Sequence, residues 1–289
     1  MKWLLGSNDR EFPEGEVEKA VSDIIEKSKE LKSREWYELA LSCIDLTTLN
    51  STDNEAQGEK FAMKVSGFAE EFPGLPNVAA ICVYPTLVKA VKKKLKVPAV
   101  KIASVAGGFP SSQTFLEVKV LEIQMAVAKK ADEIDIVMNL GKFFAEDYTS
   151  TIEEILILKK ACGAAHLKVI LETGALKSYA NIWKASIIAM QAGADFIKTS
   201  TGKSEPAATP EAAWVMCSAI KYYHEKTNKK IGFKAAGGIV ETADVLKYIA
   251  IVKEVLGDEW LNNNLLRIGA SRLANNLLTS IKGESVSYF

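Results

Sequence analysis

The chain has 289 residues, 48% hydrophobic and 25% charged, a balance that supplies a large core and excludes a disordered polyampholyte or a collagen-like chain. Its 36 Lys and Arg offset 36 Asp and Glu, so there is no global field for capturing nucleic acid or an anionic membrane, and any anion must be held by local charge. No apolar run approaches the roughly 18–20 residues of a membrane span. Trp3, Leu4 and Leu5 form too short a stretch for a signal-peptide core, so the expectation is a cytoplasmic protein. Cys43, Cys82, Cys162 and Cys217 form no CxxC pair, and His166 and His224 are the two histidines. This pattern argues against a disulfide framework, a zinc knuckle or a multi-histidine metal site.

From Lys2 to about Ala40 the sequence is polar and helix-like, with Val17, Val21, Ile24, Ile25 and Leu31 on one apolar stripe. The expected organisation is an N-terminal helical extension over 1–40 followed by a catalytic domain over 41–289. In that domain eight short apolar runs read as strands: 43–46, 78–84, 100–106, 133–138, 167–171, 196–200, 231–235 and 266–269. Each is rich in Val, Ile or Phe and ends in turn or polar residues, as parallel strands buried on both faces do. Between them lie helical patterns, among them 117–130, 151–162, 178–192 and 210–226, the last opened by Thr209 as N-cap, Pro210 and Glu211. The lysine-rich run 89–96 reads as a solvated helix face. The α/β alternation fits a single closed (β/α)8 TIM barrel better than an open doubly wound sheet. No Gly-x-Gly-x-x-Gly follows the first strand, which argues against a dinucleotide fold.

In such a barrel the reactive groups lie at the carboxyl ends of the strands. Alternation puts Phe196 and Lys198 on one face of the sixth strand, and Gly232 and Lys234 on one face of the seventh. An ammonium is costly to bury unless it is paired or loses its proton. If both lysines enter one cavity, desolvation and mutual repulsion leave at least one amine neutral near pH 7 and able to attack a carbonyl. If each pairs with a carboxylate, both only support the barrel. Asp135, between Ile134 and Ile136, is a candidate proton carrier and charge partner. Asp45 in the first strand is either a site residue or a structural carboxylate at the mouth, and Lys168 and Glu172 extend the polar network. Thr201-Gly202-Lys203, Gly237-Gly238 and Gly269-Ala270-Ser271 follow three consecutive strands. Glycines that let backbone N–H groups approach an anion, beside a helix N-terminus, predict a phosphate site there.

At these residues the chain resembles the deoxyribose-phosphate aldolase family, the class I aldolases of deoxynucleoside breakdown. The resemblance is carried by Ile44-Asp45-Leu46-Thr47-Thr48-Leu49, Ala80-Ile81-Cys82-Val83-Tyr84-Pro85, Asp132-Glu133-Ile134-Asp135, the long segment from Asp195 to Lys203, and Gly232-Phe233-Lys234-Ala235-Ala236-Gly237-Gly238. It implies that Lys198 forms a Schiff base, Lys234 lowers its pKa, and Asp135 works in proton transfer. It further implies that Asp45 and Cys82 line the substrate end, and since nothing near Cys82 in the sequence would stabilise its thiolate, Cys82 reads as a pocket wall and not a nucleophile. Gly202, Lys203, Gly237, Gly238 and Ser271 would hold the phosphate, and Thr201 and Gly269 of the same turns are further substrate-binding candidates. The implied partners are a small sugar phosphate and an aldehyde in a homodimer or homotetramer, with no metal, cofactor, nucleic acid or membrane. Two departures stand out: Ala235 replaces the family's usual proline, which is expected to loosen the turn that aims Lys234, and Val240 replaces a frequent basic residue near the phosphate. The stretch 256–260 resembles the family's longer members, and the tail Ser287-Tyr288-Phe289 is expected to fray. Two rival readings stay open. A Schiff-base aldolase for a longer sugar phosphate would release no acetaldehyde, and a silent sugar-phosphate-binding protein would bind without turnover.

Overall fold

Short runs of β-branched and small apolar residues have no polar face to show to water, so each strand needs helices outside it and neighbours on both edges. The computed structural model, which describes residues 10–289, meets both needs by closing the sheet. Two helices lead in, α1 (Glu16–Ser28) and α2 (Arg34–Ser42). Then come β1 (Ile44–Thr47), α3 (Glu55–Glu71), β2 (Ala80–Val83), α4 (Val88–Lys94), β3 (Lys101–Val105), α5 (Leu116–Ala128) and β4 (Glu133–Val137). The chain continues through α6 (Leu140–Phe144), α7 (Tyr148–Ala161), β5 (His166–Ile170), α8 (Thr173–Leu176), α9 (Tyr179–Gln191) and β6 (Phe196–Lys198). It ends with α10 (Pro210–Thr227), β7 (Gly232–Ala236), α11 (Thr242–Leu256), β8 (Leu266–Ala270) and α12 (Leu273–Lys282). All eight strands are parallel, in sequential order, with β8 pairing back onto β1. The expected TIM barrel is therefore observed.

Local chemistry sets the boundaries. Thr209 caps α10 by accepting the Ala212 N–H at 3.1 Å, with Pro210 in the first turn. β6 is two residues shorter than its apolar run suggests, because the hydroxyls of Thr199 and Ser200 turn to the carbonyl of Ala236 at 3.1 and 2.5 Å. The N-terminal stripe is divided between α1 and a 3₁₀ turn, Lys29–Leu31, with Val17, Val21, Ile24 and Leu31 buried and Ile25 only partly so. α1 packs on α10 and α11, and α2 on α11 and α12. The part of the expected extension before residue 10 lies outside the described residues. None of the described helices is long and apolar enough to cross a membrane.

The tail does not fray as expected. The Tyr288 and Phe289 N–H groups each donate to Asn275 Oδ1 at 2.9 Å, and the Tyr288 hydroxyl donates to the Lys64 carbonyl at 2.6 Å. Its ring sits edge-on to Phe68 and Phe72 while the Phe289 ring stacks on Phe68, so the phenol is held on α3. Buried aromatic contacts and three hydrogen bonds outweigh the entropy of a free end.

Phe196, at the start of β6 and on the same face as Lys198, is buried. Gly232 faces that ring so closely that a Cβ there would overlap it. Gly232→Ala is expected to cost about 1–3 kcal/mol through overpacking, to be read as a shift of the urea midpoint at unchanged m.

Candidate active site

β6 and β7 are neighbours in register, with Lys198 directly opposite Lys234, so the alternation that turns one side chain inward turns both. Across the barrel β4 presents Asp135. Lys198 Nζ donates to Asp135 Oδ2 at 2.9 Å and Lys234 Nζ donates to the same oxygen at 2.8 Å, while Lys168 Nζ donates to Oδ1 at 3.0 Å. One carboxylate thus holds three lysine nitrogens. Around them Lys234 also pairs with Asp45, and Lys168 with Glu133 at 2.5 Å. Arg267 bridges Asp45 at 2.7 Å and Glu133 at 2.8 Å. The two lysines therefore share one counter-ion, with Lys234 buried beneath the cavity that Lys198 lines. They are not locked in separate ion pairs.

This layer holds four cations, Lys168, Lys198, Lys234 and Arg267, against three carboxylates, Asp45, Glu133 and Asp135, all of them buried. Full ionisation would leave one uncompensated positive charge in a low-dielectric interior, and the surplus falls on the cation with the fewest partners. Lys168 and Lys234 each contact more than one carboxylate, whereas Lys198 contacts Asp135 alone among the described residues. Burial pushes Lys198 below the ordinary lysine range, and the Lys234 charge adds to this against the pull of Asp135. Lys234 is equally buried, yet Asp135 and Asp45 together hold it above that range, as three carboxylates do for Lys168. Asp135 itself pays desolvation but is held well below the carboxylate range by Lys168, Lys198 and Lys234. It stays ionised at neutral pH.

Lys198 is also the lysine of this layer that reaches open space. It lies at a cavity of about 580 Å³ whose walls include Thr201, Gly202, Lys203, Gly237, Gly238, Gly269, Ser271, Arg272 and Phe289. All three predicted anion-binding segments thus meet on the side predicted for them. Gly202 and Gly237 have φ of 72° and 89°, and a Cβ on Gly237 would lie 2.7 Å from Ala207 Cβ and 3.1 Å from Gly202 Cα. Two turns touch there, and only glycine permits the approach. Gly237→Ala is expected to raise KM for a phosphorylated substrate about 10- to 100-fold by displacing these backbone donors, with the loss falling less on an unphosphorylated aldehyde in a parallel assay.

The Thr201 hydroxyl is engaged within the protein. It donates to Glu172 at 2.6 Å, and the Thr201 N–H donates to the other oxygen of Glu172 at 3.1 Å. Lys203 Nζ donates to the Leu49 carbonyl at 2.5 Å, tying the loop after β6 to the loop after β1. Asp45 and Cys82 are fully buried and are not among the cavity walls. Asp45 belongs to the ionic layer beneath, and Cys82 packs with Leu49, Ala80, Ala103 and Val105 against Tyr84 and Phe109. Burial pushes the Cys82 thiol up, so it remains protonated. A hollow of about 690 Å³ on the outside of the barrel, walled by Phe12, Tyr179 and Glu211 among others, contains none of these lysines. Size alone does not mark the site.

The profile of the DeoC/LacD family aldolases matches residues 39–263, from the end of α2 to just before β8. The chain belongs to this family. A Caenorhabditis elegans protein is 45% identical over 274 residues, covering 94% of this chain and 90% of its own length. Human deoxyribose-phosphate aldolase is 44% identical over 252 residues, 84% of this chain and 79% of that protein. Among solved structures, the tetrameric deoxyribose-phosphate aldolase of Aeropyrum pernix aligns with a TM-score of 0.68 at 26% identity, over 90% of this chain and 97% of that one.

In this aldolase the departure at Ala235 leaves the lysine in place. Ala235 lies inside β7, paired with Ile268 and fully buried, and Lys234 still reaches Asp135 and Asp45. The expected loosening of a turn does not occur, because the strand continues through Ala236. Val240 does line the cavity, with Arg272 and Lys203 as the cations beside it. Glu133 and Arg267 are the members of the ionic layer that the reading of the sequence missed. The signal was there: Glu133 shares the strand parity of Asp135, and Arg267 stands alone between Leu266 and Ile268.

Proposed function

We propose that this aldolase cleaves 2-deoxy-D-ribose 5-phosphate reversibly to D-glyceraldehyde 3-phosphate and acetaldehyde, through a Schiff base on Lys198, in the cytoplasmic breakdown of deoxynucleosides. The observation that carries this reading is a buried lysine with a lowered pKa on the floor of a cavity rimmed by glycine turns. The neutral Lys198 amine adds to the aldehyde carbon of the open-chain sugar, and loss of water gives an iminium ion. The 3-hydroxyl gives up its proton and the bond between C2 and C3 breaks, its electron pair moving toward the iminium nitrogen. Glyceraldehyde 3-phosphate leaves. The enamine takes a proton at C2, and water releases acetaldehyde and restores the amine.

Asp135 holds the Lys198 and Lys234 nitrogens on one oxygen, so protons released and regained by Lys198 have a charged acceptor in hydrogen-bond contact. Such positioned proton transfer contributes about 10²- to 10⁴-fold in rate. The glycine turns with Lys203 and Arg272 hold the phosphate end, which sets the aldehyde end down toward Lys198.

The test is incubation with 2-deoxyribose 5-phosphate, followed by coupled detection of acetaldehyde and by borohydride reduction with acetaldehyde present. The expected results are acetaldehyde release and one ethyl group on the peptide bearing Lys198. An adduct on another lysine, or turnover without acetaldehyde, would overturn the assignment.

A further inference from the structure

In a regular parallel ladder, N–H donors two residues apart reach carbonyls two residues apart. Past the end of β5 this spacing is broken, because Leu171 donates to the Lys198 carbonyl and Thr173 to that of Thr199, both at 2.9 Å. Glu172 is the extra residue, buried and left-handed at φ 53° and ψ 63°. An inserted residue re-aims its side chain, and the left-handed region is uncommon for a residue such as glutamate. The Glu172 side chain does not cap α8, although it stands at the head of that helix, and engages the loop after β6 instead. Both carboxylate oxygens are used on one residue of that loop. Oε2 accepts the Thr201 hydroxyl and Oε1 the Thr201 N–H, and the same Thr201 oxygen accepts the Lys203 N–H at 3.0 Å. Gly202 is thus held between two fixed neighbours. Two residues on, Gly174 lies so close to Pro206 that a Cβ there would fall 2.1 Å from the Pro206 carbonyl oxygen. The turn 172–174 therefore grips the loop at Thr201 and again at Pro206. Gly202 and Lys203 are cavity walls, and Glu172 is not.

We infer that Glu172 is a positioning residue for the phosphate end of the proposed substrate site: through Thr201 it fixes the backbone of Gly202 and Lys203, and so sets the preference for a phosphorylated over an unphosphorylated sugar. This role rests on the reading of those turns as the place where the phosphate is held. A buried carboxylate behind an anion site is otherwise a liability, since like charges repel. Removing its charge therefore separates the two effects by sign. If charge alone counted, Glu172→Gln would tighten phosphate binding. If positioning counts, the same substitution weakens it, because a single amide oxygen replaces the two acceptors that serve the two Thr201 donors.

Steady-state kinetics with 2-deoxyribose 5-phosphate and with 2-deoxyribose, together with titration of inorganic phosphate read as the rise in Tm, test this on the wild-type chain, Glu172→Gln and Glu172→Gly. In both variants KM for the phosphorylated sugar should rise about 10- to 100-fold while kcat stays within about threefold. For the unphosphorylated sugar kcat/KM should change by less than about threefold, and inorganic phosphate should bind more weakly than to wild type. Glycine is the backbone control. It accepts a φ of 53° without strain, so if Glu172 had only to tolerate the left-handed turn, Glu172→Gly would keep the wild-type KM. Wild-type phosphate affinity in either variant, tighter binding by Glu172→Gln, or equal losses with the two sugars would overturn the assignment. The phosphate titration needs no turnover. A chain that binds phosphate yet leaves 2-deoxyribose 5-phosphate uncleaved would refute the proposed reaction, while the comparison of Glu172 variants would still decide the positioning role.

Discussion

Lys198→Met is expected to lower kcat by at least about 10⁴-fold, because no neighbouring amine can take over. Lys168 and Lys234 lie in the same ionic layer, yet both are fully buried and held in the charged form by two or more carboxylates. A protonated amine has no lone pair for a carbonyl, and neither nitrogen opens on the cavity. The same substitution should leave stability level or slightly raised. It removes the amine that the charge surplus disfavours in its protonated form, and leaves Lys168, Lys234 and Arg267 balanced against Asp45, Glu133 and Asp135. The expected signature is therefore a dead enzyme with an undiminished Tm, and acetaldehyde with borohydride should leave it unlabelled. Residual turnover within 100-fold of wild type, or labelling at Lys234, would show that nucleophilicity is not confined to Lys198.

The barrel was legible because its determinants are local. Each strand had to be continuously apolar, each helix amphipathic, and Thr209-Pro210 or Gly237-Gly238 declare a start or a turn within a few residues. The site was legible where charge stands in an apolar run, as with Lys198, Lys234 and Asp135. What could not be read was depth along the barrel axis. Parity says that Asp45 and Asp135 point inward but not which layer each occupies, and the register that sets Lys234 beside Arg267 is a property of strand stagger. For the same reason Asp45 was expected at the mouth and lies beneath it. The docked tail was hidden too, since its partners Lys64, Phe68 and Asn275 come from α3 and α12.

Asp135→Asn and Lys234→Met are expected to move the acid limb of kcat/KM in opposite directions, and both should cost activity. Lys198 works as the neutral amine, so activity falls as pH drops through its lowered pKa. Lys234→Met removes a cation from the oxygen that Lys198 shares, so protonated Lys198 is better compensated and its pKa rises. The acid limb shifts to higher pH, kcat/KM at neutral pH falls about 10- to 100-fold, and part of the loss returns at alkaline pH. Stability should change little, because the layer is again balanced and Asp45 keeps its bond from Arg267 at 2.7 Å. Asp135→Asn acts the other way. It leaves the Lys168 and Lys234 ammonium groups beside Lys198 with a neutral amide between them, which lowers the pKa of Lys198 further and shifts the acid limb to lower pH. It removes the carboxylate that receives the proton, costing about 10²- to 10⁴-fold in kcat, and leaves buried cations uncompensated at a cost of about 3–5 kcal/mol. The folded-state pKa of Asp135 is depressed, so the stability it supplies is present above the unfolded carboxylate value near about 4 and is lost as pH falls below it. The Asn variant should therefore show a flatter acid-unfolding curve from a lower plateau. Matched pH–rate profiles and urea titrations of the two variants decide the matter, and acid limbs that move together would mean that the charge surplus does not set the protonation of Lys198.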